Sequence, residues 1–508
     1  MSSELTTMAS VGWGTLAPVV APAVAILLVL LLDAIAPART GVWARLLDAV
    51  AVAGLLGAGG AVAWLSRTSG PRMTVCVPRF VEVNCSFTAS QLTLTLQAVV
   101  VIGALGCLLL GMHGTAATDR TPHHVLLLTA TAGALALAGA RDLATLVVAL
   151  ETASLPAVGL VAIRRDARGA QAGLTLLLTA VSSLGLLLLG VALIYLSTGS
   201  LYLSRIALVL TPEHLTNGGV QALAGLGAVL AVAGVAFKLS AVPFHLWTPD
   251  TYAGAPLPVA AFLAVVSKTA GLAAMVVLLG VGLPGLAKVW APVVGVAAAV
   301  TVTVGNLVAL RQTRAVRLLA WSTVAQAGWV LLPFAAASSG TASDVRAASA
   351  GAVGYLIAYA TASLAAFAVV VLVARSAPGG ESHDLEAYRG LARRKPLAAA
   401  ALGFALACLA GLPPGVMGLV AKIAALRPLV SAGVWPLAVV AAVNVALGLA
   451  YYLRWGALLV SGPAEGREPL TWRTRPAEGL VVALAGLGCV AFSVLPQGVA
   501  GVLPGVLH

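Results

Sequence analysis

Five of the 29 basic residues in this 508-residue chain are lysine, and three of the five, Lys238, Lys268 and Lys422, fall inside long apolar runs, whereas the arginines sit in or beside loops. Arginine does not release its proton in a protein; lysine does so readily once buried. A charged side chain at mid-membrane costs ~2.5–3.5 kcal/mol on insertion scales. Three such costs in a chain that otherwise uses arginine point to exchangeable protons rather than to packing. Glu151, in the middle of VVALETASLPAVGL, is the natural companion, because an intramembrane carboxylate needs a partner or a proton. His245 follows Lys238 by seven residues, close to the same helical face if the helix resumes, and imidazole suits a proton relay. His123 and His124 open an apolar run and read as interfacial; His113, His214, His383 and His508 read as loop residues.

The elements that carry these residues are membrane spans. The composition is 60% hydrophobic and 9% charged, against roughly 25% charged in soluble domains. Apolar runs long enough to cross a bilayer recur at about 15–36, 43–65, 92–112, 123–140, 142–163, 170–196, 219–240, 256–280, 287–309, 318–335, 347–374, 396–426, 433–455 and 477–503. The predicted fold is thus an all-α membrane protein of about 14 transmembrane helices. The close pair 123–140 and 142–163 has a rival reading as one kinked segment. The first run is long enough to be a span rather than a signal sequence, and no basic segment precedes it. The net charge of +12 does not read as a nucleic-acid surface, because the basic residues are scattered through short loops.

Two spans are interrupted. Pro243 follows Lys238 in FKLSAVPFHLWTPD, and Pro413 and Pro414 precede Lys422 in AGLPPGVMGLVAK. Proline frees backbone carbonyls, and broken backbone at membrane depth persists only where protein or water satisfies it. A broken span in each half predicts two inverted five-helix repeats, spans 4–8 and 9–13, with discontinuous helices 7 and 12. The expected division is an N-terminal three-helix segment 1–122 with an external loop 66–91, repeats over 123–280 and 287–455, and a loop with C-terminal helix over 456–508. With the termini outside, 18 basic residues lie in inner loops and 8 in outer ones, the bias expected of that orientation. Cys76 and Cys85 then share an external loop, where a disulfide is permitted. No Cys-x-x-Cys pair, glycine-rich phosphate loop or haem-type histidine pair is present, so no metal or cofactor site is expected on this chain.

The segments ARDLATLVVALETASLP, VAFKLSAVPFHLWTPDTYAGAPLPVAAFLAVVSKTAG, NLVALRQTRAVRLLAWSTVAQAGW, YLIAYATASLAAFAVV, YRGLARRKP, LPPGVMGLVAKI and YYLRW resemble the antiporter-like membrane subunits of respiratory complex I, the proton-translocating NADH–quinone oxidoreductase. Lys422 in place of a glutamate sets the chain apart from the M branch of that family, and the short C-terminus from the L branch; YLIAYA and YYLRW look like the N branch. The resemblance implies a proton path through Glu151, Lys238, His245, Lys268 and Lys422, driven by quinone reduction elsewhere in the complex. It implies other membrane-arm subunits as partners and a bacterial inner-membrane location, with NADH, FMN, iron–sulfur clusters and quinone held by partner subunits. Subunits of multisubunit cation/proton antiporters are similar in the same spans and give the alternative. Many members have a histidine where Gln326 stands and a lysine where Leu174 stands; Gln326 is therefore read as a polar relay in the second half that hydrogen-bonds without titrating.

Overall fold

The computed structural model describes residues 11–35, 41–68, 70–78, 83–112, 119–211, 218–376, 384–462 and 475–496. Three N-terminal helices come first: α1 (Trp13–Ile35), α2 (Val42–Ser66) and α3 (Gln91–Gly111). The first half continues with α4 (Arg120–Gly139), α5 (Leu143–Ala162), α6 (Ala167–Thr198), α7 (Gly218–Leu239), the short α8 (Trp247–Gly254) and α9 (Leu257–Gly282). The second half repeats that order with α10 (Pro284–Ala309), α11 (Ala315–Ser338), α12 (Ala342–Ser376), the half-helices α13 (Pro396–Ala410) and α14 (Val416–Ser431), and α15 (Trp435–Val460). Helix α16 (Pro476–Val494) closes the described chain. Thirteen of these helices are long and apolar enough to cross a membrane, and α13 with α14 forms the expected span 396–426.

Local sequence sets the helix starts. Asp142 accepts from the Thr145 amide at 2.7 Å, Asp166 from the Gly169 amide at 2.7 Å and Ser90 from the Thr93 amide at 3.3 Å, each satisfying a donor the first turn leaves open. The residues 140–142 make a tight turn, so α4 and α5 are two helices and not one kinked segment. They pack backbone to backbone: a Cβ on Gly133 would stand 2.4 Å from the Ala153 amide nitrogen. The corresponding hairpin of the second half, α10 with α11, does the same at Gly305, 2.4 Å from the Ala325 nitrogen. Small residues of this kind let helices approach in lipid, where no hydrophobic drive between them exists.

The loop 66–91 is not all coil. Arg72–Pro78 (β1) and Val83–Ala89 (β2) pair antiparallel with Cys76 opposite Cys85. The hairpin packs on the α4–α5 turn, where the Arg141 amide donates to the Ser86 carbonyl at 2.9 Å and Phe87 pairs with Ala140. At the centre of the molecule lie α9 and α12, buried along almost their whole length.

Candidate functional site

Helix α7 ends at Leu239, directly after Lys238, because the chain turns there. Ser240 takes φ +63° and the Val242–Pro243 peptide is cis. The left-handed conformation is costly for a residue with a Cβ and persists where surroundings hold it. Here the Ser240 hydroxyl is held by the Thr248 hydroxyl and by the Lys268 ammonium, which donates to it at 2.5 Å. Lys268 also donates to the Lys238 carbonyl at 3.2 Å and sits 4.5 Å from the Trp247 ring centroid. Its charge thus rests on the open C-terminal end of α7, where unpaired carbonyls and the helix dipole favour a cation, and on an aromatic face. Lys268 follows a π-helical turn, Leu263–Ser267, inside α9, the kind of irregularity that often marks functional positions.

Lys238 points the other way, to α5. Its ammonium donates to the Ser154 hydroxyl at 2.8 Å and the Ala153 carbonyl at 3.3 Å. Glu151 stands one turn before Ser154 on α5, within electrostatic reach of Lys238, yet no ion pair within 4.0 Å joins them. The Glu151 side chain is half-buried on α5, while Lys238, Lys268 and Lys422 are 4%, 2% and 5% exposed. The lysines are therefore interior groups, and the carboxylate lies toward the outside of the bundle.

The second half repeats the motif with different attachments. Helix α13 stops at Gly411, φ +77°, and the Pro413–Pro414 peptide is cis. Lys422, on α14, donates to the Ala410 carbonyl at 2.6 Å and lies 5.4 Å from the Trp329 ring centroid. Each half thus places one lysine on the C-terminal carbonyl of a broken helix and against a tryptophan. Gln326 accepts from the Tyr355 hydroxyl and donates to the Tyr452 hydroxyl at 2.9 Å; Tyr452 in turn bonds Ser322. A cavity of about 10 Å³ lies among Gln326, Tyr355, Tyr359, Cys408 and Gly418, close to the size of a single water.

Other expected residues fall differently. His245 does not share a face with Lys238, because the chain resumes as helix only at Trp247; His245 lies in the break, 5.6 Å from Trp321 between ring centroids, with Nδ1 unpartnered. Leu174 is 55% exposed on the outside of α6 and faces no interior path. His123 and His124, in the first turn of α4, are buried at 2% and 0% exposed, with Asp33 of α1, Asp48 of α2 and Gly111 of α3 packed around that end. Cys76 and Cys85 are joined, S–S 2.02 Å. Among the described residues no three His, Cys, Asp or Glu side chains converge as a metal-binding group. Ser154, Ser240, Trp247 and Trp329 were not singled out from the sequence; the break beside Ser240 and Trp247 was visible, but which side chains meet across helices is set by tertiary packing.

Residues 140–448 match the family model described as NADH:quinone oxidoreductase/Mrp antiporter, transmembrane. The chain is 44% identical over 475 residues to NADH-quinone oxidoreductase subunit N 2 of Streptomyces griseus, covering 92% of this chain and 86% of that one. It is 43% identical to NADH-quinone oxidoreductase subunit N of Salinispora tropica, over 82% of this chain and 80% of that one. A chain of respiratory complex I from Thermus thermophilus with bound aureothin superposes with TM-score 0.75 at 30% identity, covering 96% and 98%. A chain of the Mrp complex from Dietzia superposes with TM-score 0.79 at 22% identity, covering 97% of each; that likeness concerns the fold.

Proposed function

This chain belongs to the NADH:quinone oxidoreductase/Mrp antiporter membrane family, and on that premise we propose that it is a proton-translocating membrane-arm subunit of an NADH–quinone oxidoreductase. The observation that carries the reading is the row of interior lysines, two of them seated on the open carbonyl ends of broken helices. Such a seat holds an ammonium without a fixed counter-ion, so the proton can leave without stranding a carboxylate. In the first half Lys238 exchanges its proton while Glu151, near but not bonded, sets how strongly the amine holds it; an opposite charge within ~4–6 Å favours the ammonium. Lys268 lies next, tied to the Lys238 carbonyl, and the second half continues through Lys422 with the Gln326–tyrosine network beside it. His245, Pro243, Pro413 and Pro414 serve this path by lining and opening the breaks.

The chain supplies no redox centre in this reading. NADH, FMN, iron–sulfur clusters and quinone belong to partner subunits, and quinone reduction there drives the proton movement. Glu151, half-buried at mid-span, turns toward neighbouring membrane-arm subunits. The membrane is the bacterial plasma membrane, with both termini outside. A cation/proton antiporter subunit is the second reading, left open by the matching family model, which covers both kinds of protein; the 44% identity to a subunit N over 92% of this chain outweighs it.

Purification of the native complex through a tag on this chain tests the choice. NADH–quinone reductase activity and flavin should copurify. Recovery with antiporter chains alone, catalysing sodium/proton exchange without a redox donor, would replace the first reading with the second.

A further inference from the structure

A second group of titratable side chains lies away from the lysines, where α1 ends and α2 and α4 begin. The His124 imidazole Nε2 lies 2.8 Å from Asp48 Oδ1, and the Nδ1 atoms of His124 and His123 lie 3.4 Å apart. Asp48 Oδ2 accepts from Arg120 at 2.7 Å, and the Thr121 hydroxyl donates to Asp33 at 2.8 Å. The series is graded in depth. The Asp48 and Arg120 side chains are 13% and 16% exposed, whereas His124 and His123 are 0% and 2% exposed. The inner histidine reaches a junction of helices: a Cβ on Gly111 of α3 would stand 3.1 Å from the His123 ring and 3.7 Å from Pro258, at the start of α9. Ten residues further along α9 is Lys268. The charged groups that face this end are Asp33 on α1, Asp48 on α2 and Arg120 on α4. Beyond the end of α3, Arg375 donates to the Leu110 carbonyl and pairs with Glu478; on the α5 side Arg165 pairs with Asp119 at 3.0 Å.

We propose that Asp48, His124 and His123 form a proton-loading site at this end of the bundle, separate from the lysine row, that takes protons from the aqueous phase there and presents them at the start of α9. An Asp48–Arg120 pair alone would clasp α2 to α4. The His124–Asp48 contact adds to that clasp, but His123, turned inward behind it, does not, and two imidazoles joined through their ring nitrogens can each accept a proton at one nitrogen and give one up at the other. The exchange balances. With Asp48 ionised, His124 carries its proton on Nε2 and accepts at Nδ1 from His123 Nδ1–H. Asp48 takes one proton from the aqueous phase, and with the rings in their other tautomers, His124 holding its proton on Nδ1 and His123 on Nε2, the site holds one added proton while Asp48 and both rings are neutral. Loss of the His123 Nε2 proton at the start of α9 draws the His124 Nδ1 proton to His123 and the Asp48 proton to His124 Nε2, which restores the ionised state.

This inference rests on the proton-translocating reading, and the experiment separates the two. The intact complex, reconstituted in vesicles, is assayed for protons pumped per electron between about pH 6 and pH 9, with wild type, His124→Gln, Asp48→Asn, Asp48→Glu, His123→Gln and a Lys238→Ala control. The site predicts a several-fold loss of pumping at the alkaline end in His124→Gln, Asp48→Asn and His123→Gln, convergence on wild type at the acid end, and recovery in Asp48→Glu. Variants that assemble and trace the wild-type profile reduce the cluster to a clasp and overturn the proposal. If His124→Gln and Asp48→Asn fail to assemble, His123→Gln, which keeps the Asp48–His124 bond, decides by the same profile. A Lys238→Ala complex that pumps normally overturns the lysine path of the proposed function, whereas wild-type profiles in the cluster variants overturn this site alone.

Discussion

At the scale of single residues, each buried lysine is held by one or two neutral oxygens. Ser240 is the most exposed to test, since its hydroxyl takes the Lys268 ammonium and the Thr248 hydroxyl together. Losing a hydrogen bond to a charged group costs ~1.5–3 kcal/mol, so Ser240→Ala should lower pumping ~10-fold or more in assembled complex, while Ser240→Thr should retain most of it. Glu151→Gln should impair pumping because the amide cannot bias the Lys238 amine, and Glu151→Asp should be milder; redox-driven acidification with the amount of assembled complex measured alongside checks both. Gln326→Leu removes the group that joins Tyr355 to Tyr452 and leaves buried hydroxyls to find new partners, at ~1–3 kcal/mol each. A lowered unfolding temperature is expected, and an unchanged one would show that the network is not holding the second half together. The types of residue were legible from the sequence: lysines and a glutamate in apolar runs cannot be explained by packing. Their seats were not, because Lys238 is bound by α5, Lys268 by the end of α7 and Lys422 by the end of α13, and pairings across helices leave no periodic signal.

At the scale of elements, span lengths and breaks were visible because lipid demands long apolar runs and proline interrupts them. The break expected at Pro413 and Pro414 is present: the span 396–426 is two half-helices separated at Gly411–Gly415, so Lys422 stands after a full stop of the backbone. Two things were not visible. The break after α7 extends to Leu246, which moves His245 off the face of Lys238. The loop 66–91 contains a hairpin, although RMTVCVP and VNCSFTA carry the β-branched residues of strands. The close packing of the second break makes a sharp test. A Cβ on Gly418 would stand 1.6 Å from the Cys408 carbonyl oxygen, whereas a Cβ on Gly456 of α15 meets nothing within 4 Å. Gly418→Ala should therefore abolish accumulation of the folded chain, and Gly456→Ala should be tolerated. Equal amounts of both in membranes would contradict the packing of α14 against α13.

At the scale of the whole molecule, two repeats of one helical order each seat a lysine at the end of a broken helix, with the three N-terminal helices and the disulfide hairpin packed against the first half. With the termini outside, a reporter active only in that compartment should work when fused after His508, and activity confined to fusions in the loop Arg389–Lys395 would reverse the orientation. Cys76 and Cys85 should resist maleimide until reduced, since they are joined. The coupling of redox chemistry to proton movement turns on whether Lys238 gives its proton up or only supplies a charge. Substituting arginine separates these, because it keeps the charge and holds the proton. Redox-driven acidification by vesicles containing assembled Lys238→Arg complex is the measurement. Loss of nearly all pumping, comparable to Lys238→Ala, is the predicted result; pumping at the wild-type rate would make Lys238 a fixed charge and contradict the deprotonation mechanism.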